Sequence, residues 1–232
     1  IGVINGVTNY VEFTDWTEDD LIALDDYNTE AQNSAVDIYR AWDGYDTSRD
    51  MTAFYMHDGG STASGGDGNL YFRVDIHDLQ ANAEDGFLNI YVVIDTGNTS
   101  AGERNLPDDV DTGTDMRWEA VVAVYGYNDG RVYVDTDTAH NTTAIAQNLS
   151  EYGVVARDQN TANGFKLAHF NAELDAVEFS ISRQALIDAS WNGLDYRQLN
   201  FQVYTTKDGT SNDPVGEGDI GGRSDLRDAI RN

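Results

Sequence analysis

The chain has 232 residues and a formal net charge of −27, from 41 Asp and Glu against 14 Lys and Arg. That balance excludes nucleic acid and anionic membrane surfaces as partners, because both need cationic side chains to displace counterions. No run reaches the ~18 apolar residues that span a bilayer. The absence of cysteine removes disulfides, thiolate metal sites and Cys nucleophiles.

Taken in chain order, the pattern predicts short strands divided by turn residues. Val36–Trp42 and Met51–His57 come first, joined through Asp43-Gly44-Tyr45-Asp46. Asn69–Ile76 alternates with period two: Leu70, Phe72, Val74 and Ile76 share one face, Tyr71, Arg73 and Asp75 the other. Phe87–Ile94 repeats this with Leu88, Ile90, Val92 and Ile94 inward. Arg117–Tyr125 and Arg131–Val134 flank Tyr127-Asn128-Asp129-Gly130, whose Asp-Gly pair is a strong hairpin signal. Phe165–Phe170, Ala176–Ile181 and Leu199–Thr206 bring the total to about nine strands. Short helices are expected at Thr142–Leu149, at Ser182–Ala189 behind a Ser N-cap, and at Ser224–Arg231 with Asp225 in its first turn. Many strands, Gly/Asp turns and little helix predict an all-β fold, a two-sheet antiparallel β-sandwich. Residues 1–232 read as a single domain, with 1–35 an N-terminal extension or edge segment. The expected core holds Leu70, Phe72, Val74, Ile90, Val92, Val122, Val124, Phe179, Phe201 and Val203.

Two stretches carry a family likeness. Ser48-Arg49-Asp50-Met51-Thr52-Ala53-Phe54-Tyr55 followed by Asn69–Ile76 resembles the opening strands of DOMON-like sandwich domains. Glu178–Leu186 leading into Leu199–Thr206 is similar to their strand, short helix and strand ending. The nearest likeness is to the glucodextranase C-terminal type and to family 9 carbohydrate-binding modules. The resemblance implies a secreted, calcium-stabilised sandwich that binds glycans beside a catalytic domain.

The residues themselves add candidates. Asp outnumbers Glu about three to one, and Asp is both a turn former and a hard-oxygen ligand for calcium. Asp208, Asn212, Asp213, Glu217 and Asp219 crowd one Gly-containing loop, and Asp108, Asp109, Asp111 and Asp115 another; Asp43, Asp46 and Asp50 form a third group. Crowded carboxylates repel unless a cation or Arg joins them, so calcium is the expected cofactor, against the alternative of solvated turns. Gly216–Gly221 matches G-x-G-x-x-G, but no βαβ context follows before Asn232, and Glu217 and Asp219 oppose a phosphate. No hydrolase elbow or His-Glu-x-x-His is present, and the histidines His57, His77, His140 and His169 stand singly, so no catalysis is expected.

Sugar rings stack on aromatic faces while neighbouring polar groups bind the hydroxyls. Trp42 and Tyr45, with Trp16 and Tyr127, sit among polar residues at strand ends or turns and are the candidate ligand platform. Trp118, alternating with aliphatics, reads as core. The leading expectation is a secreted, extracellular, non-catalytic domain binding a polysaccharide or oligosaccharide, part of a larger polysaccharide-processing protein. The N-terminus, Ile1–Asn5 without Met or a basic stretch, suits a mature secreted segment. The alternative is a self-associating surface-layer or filament subunit, joined through calcium and by strand addition of Ile1–Val7 to a neighbour's sheet edge.

Overall fold

The structure is a computed structural model that describes residues 2–4, 8–11, 13–24, 49–80, 88–107, 113–126, 130–135, 145–148, 156–158, 165–166, 168–207 and 226–231. Within them lie seventeen strands, more than the expected nine, because the stretches Arg117–Tyr125 and Phe165–Phe170 each hold parts of two strands and short strands are added; the expected strand Val36–Trp42 lies outside the described residues. Two sheets make the sandwich. The first has five strands: β3 (Leu21–Leu24), β4 (Met51–Asp58), β5 (Asn69–Ile76), β14 (Ala168–Asn171) and β15 (Ala176–Ser182), in the spatial order β14-β15-β5-β4-β3. The second has six: β6 (Leu88–Asp95), β9 (Ala120–Val124), β10 (Gly130–Val134), β11 (Ile145–Asn148), β16 (Asn200–Lys207) and β17 (Leu226–Arg231), in the order β11-β10-β9-β6-β16-β17. Every pairing within these two sheets is antiparallel.

Period-two alternation puts the predicted core where it was expected. All ten core residues named above are at most 1% exposed and lie in one cluster that joins the inner faces of both sheets. The six-stranded sheet goes further than a half-buried reading allows. Its other face buries Tyr91, Val93, Val121, Ala123, Tyr133 and Tyr204 against Trp118 and Leu106. Trp118 ends β8 (Gly113–Trp118), which pairs with β7 (Glu103–Asn105) as a separate ribbon, so it is core as expected but in this second cluster.

Two predicted helices are strands instead. Residues 145–148 of the Thr142–Leu149 stretch pair with β10, and Leu226–Arg231 pairs with β16 from Val203 to Thr206 among others. Local helix signals are weak priors, and a sheet edge with unpaired backbone groups outweighs them. The third helix is present as α1 (Arg183–Asp188), and the Ser182 hydroxyl accepts from the Gln184 N–H at 3.1 Å as its N-cap. In the N-terminal segment, β1 (Gly2–Ile4) pairs with β2 (Thr8–Val11) of its own chain, and β2 runs parallel to β12 (Ala156–Asp158), which pairs with β13 (Phe165–Lys166).

The connection between β4 and β5 shapes the site. Gly59 N–H donates to Asn69 O, Asp67 N–H to Gly59 O and Gly68 N–H to Gly60 O, which folds the loop flat upon itself. A Cβ on Gly66 would stand 2.4 Å from the Gly60 carbonyl carbon, so only glycine admits this approach of two backbones.

Candidate functional site

A cleft of about 630 Å³ opens beside that loop, within the size range of small-ligand pockets. Its walls come from three places: residues 15–20 ahead of β3, the β4–β5 hairpin end, and the turn at Tyr196–Arg197. Trp16 lines it, half-buried with its Nε1 enclosed, its ring centroid 6.1 Å from that of Tyr55. Tyr71 and Tyr196, both buried, also line it. Arg197 stacks 5.0 Å over the Tyr196 ring and donates to the Asp19 carbonyl at 3.0 Å, and it is solvent-exposed.

Most of the cleft's carboxylates are held by the protein itself. Asp58 accepts from Gly60 N–H at 2.8 Å through Oδ1 and pairs with Arg183 through Oδ2. Arg183 in turn lies 4.7 Å over the Trp191 ring and donates to Gly193 O at 2.6 Å. Asp67 accepts from Asn69 N–H at 2.9 Å and from the Tyr71 hydroxyl. Burial, and then Asp67, push the Tyr71 phenol well above its ordinary range.

Asp20 is the most fully engaged. It closes a single 3-10 turn, and Oδ2 accepts from Thr17 N–H at 3.0 Å and Thr17 Oγ1 at 2.8 Å, a capping box. Oδ1 meets His57 Nδ1 at 2.8 Å. Burial pushes the Asp20 carboxyl up, but the hydrogen bonds from His57 and Thr17 outweigh it and leave its pKa lowered. Asp20 and His57 are 37 positions apart. Only the sheet register, which pairs Leu21 with Tyr55, brings them together.

A second acidic region lies where β6, β9 and β10 meet. Glu119 is fully buried, and its Oε2 accepts from Thr96 N–H at 2.7 Å and Thr96 Oγ1 at 3.0 Å. Its Oε1 has no partner among the described residues. Burial, then the like charges of Asp95 and Asp135, push this carboxyl up to about 7 despite the Thr96 hydrogen bonds.

Of the residues singled out from the sequence, Trp16 reaches the cleft. Trp42, Tyr45 and Tyr127 lie outside the described residues, as do Asp208, Asn212, Asp213, Glu217, Asp219, Asp108 and Asp111; Asp115 lies in β8. Among the described residues no three His, Asp or Glu side chains are grouped to hold a metal ion. The sequence reading missed His57 and Asp20 as a pair. The available signal was a His at the end of the largely apolar stretch Met51–His57, next to Asp58-Gly59-Gly60.

Comparison of the chain with family models, with curated proteins and with solved structures gave no match.

Proposed function

We propose that the chain is a non-catalytic carbohydrate-binding domain whose cleft holds a neutral glycan against Trp16. One observation carries this reading: a cleft of about 630 Å³ lined by the half-buried Trp16 and by the exposed Arg197. A sugar needs an apolar surface for its C–H face and charged donors or acceptors for its hydroxyls, and both are present. The lining includes Asp15, Asp19 and Asp20, which oppose a uronate or sulfated sugar and leave neutral glycans as the favoured class. The likeness of the strand pattern to DOMON-like sandwiches supports the same reading, as does their secretion and attachment to polysaccharide-processing enzymes. Calcium belongs to the proposal through the Asp-rich segments 108–115 and 208–219.

The test is calorimetric titration of the protein with cellotetraose, maltotetraose, laminaritetraose and xylotetraose. At least one is bound, and Trp16→Ala weakens it about thirtyfold, the size of an interfacial aromatic anchor, with an unchanged melting curve. Absence of binding to any of them, or equal binding by Trp16→Ala, overturns the reading.

A further inference from the structure

Within the cleft, most polar groups that a ligand would meet are already spoken for. Both oxygens of Asp58 and of Asp67 have partners in their own hairpin or in Arg183. The Tyr71 hydroxyl donates to Asp67 and accepts from Asn69 Nδ2 at 3.2 Å. His57 differs: it sits near the end of a paired strand, its side chain is 54% exposed, and its hydrogen bond to Asp20 uses Nδ1. Its ring packs 6.3 Å from that of Tyr71, which restrains its orientation.

The protons on this network follow from its donors. Asp20 Oδ2 must be an acceptor, because Thr17 N–H points at it and can only donate. With Asp20 ionised, Oδ1 is an acceptor too, so His57 Nδ1 supplies the proton. In its neutral form the ring then carries its lone pair on Nε2, the edge turned away from Asp20. We infer that His57 Nε2 is the cleft's directional acceptor for one ligand hydroxyl, with Asp20 as the positioning residue that fixes its tautomer. This rests on the glycan reading and deepens it: the ligand must present a hydroxyl donor beside the face stacked on Trp16. A metal ion is the other common partner of a carboxylate-oriented imidazole, but no third ligand is grouped with these two among the described residues.

Asp20→Asn tests the assignment sharply. Thr17 N–H keeps an oxygen at the Oδ2 position, so the amide nitrogen falls opposite His57 and donates to Nδ1. The ring is forced into the Nε2–H tautomer, and the acceptor facing the ligand becomes a donor. The experiment combines nitrogen-15 NMR of the imidazole, which reports the tautomer, with titration of the neutral tetrasaccharide bound best by the wild type. The wild type shows Nδ1–H and Asp20→Asn shows Nε2–H. Asp20→Asn and His57→Phe each weaken binding about tenfold, while His57→Gln, which retains an acceptor, recovers part of it. Melting curves verify that each variant is folded. An Nε2–H tautomer in the wild type overturns the inference whatever binds. Full affinity in His57→Phe and Asp20→Asn alongside loss in Trp16→Ala overturns it and leaves the glycan reading standing. Failure of the wild type to bind any of the neutral tetrasaccharides removes both.

Discussion

Asp20 at the cleft and Glu119 at the junction of β6, β9 and β10 are both buried, at 7% and 0% exposure, yet their carboxyl groups behave oppositely. Asp20 accepts from Thr17 twice and from His57, and its pKa is lowered. Among the described residues the Glu119 carboxyl accepts only from Thr96; Asp95 and Asp135 add like charge, and it is pushed up to about 7. Burial is common to the two; the difference lies in how many donors, and how many like charges, the fold places within reach. In a chain of charge −27, Asp20, Asp58 and Asp67 of the cleft each have donors on both carboxylate oxygens. At Glu119 only one carboxylate oxygen has donors, and burial raises the carboxyl's affinity for a proton.

The comparison is broken most severely by taking a donor away from the cleft. Arg183 and Asp58 have side chains only 7% and 13% exposed, and Arg183 also covers the Trp191 ring. Arg183→Ala leaves a largely buried carboxylate without its cation and is expected to cost about 3–5 kcal/mol in denaturant unfolding. A loss below ~1 kcal/mol places the pair with surface salt bridges and contradicts its role in holding the hairpin.

The reverse experiment gives the Glu119 region a neutral side chain. The folded-state pKa of about 7 stands above the ordinary 4.5. The native state therefore binds the proton more tightly, and its stabilising contribution is complete below pH 4.5. It is lost as pH rises through about 7. The difference in unfolding free energy between wild type and Glu119→Gln should change by about 3 kcal/mol over that window, with the wild type losing ground as pH rises. A difference that is flat with pH means Glu119 titrates as an ordinary carboxylate.

Calcium, proposed for the acidic segments 108–115 and 208–219, adds a third case, in which a cation would take the place of protein donors. Binding to the native state alone stabilises by about 2.7 kcal/mol at a hundredfold excess over Kd. A Tm higher in millimolar calcium than in EDTA is the expected result; identical Tm values rule out a structural site.

Strand content was legible because its signal is local. Asn69–Ile76 alternates so cleanly that its boundaries in the structure are those of the pattern. Leu88–Asp95 reads the same way, but its outward Tyr91 and Val93 are buried as well, since a second apolar layer with Trp118 covers them. That layer depends on strand order, which alternation does not encode. Ser224 and Asp225 carry a helix-start signal, yet the following residues complete a sheet edge beside β16; cap residues also serve turns, so the motif alone does not choose. The cleft was legible only in part. Trp16 stood out by its polar neighbours, whereas Asp20, His57, Tyr71 and Tyr196 converge from segments that only the tertiary fold joins. No spacing rule links Asp20 to His57, because their contact is set by the pairing of β3 with β4.

The central claim is that the cleft edged by Trp16, His57 and Arg197 is where a neutral glycan sits. The most direct measurement is an NMR titration of the wild-type protein with the neutral tetrasaccharide series, following the Trp16 indole N–H, the His57 ring and the Arg197 guanidinium. The account predicts saturable shifts at these three groups, with the indole signals of the buried Trp118 and Trp191 unmoved. Saturable binding that leaves Trp16, His57 and Arg197 unshifted, or no shift anywhere at millimolar sugar, contradicts it.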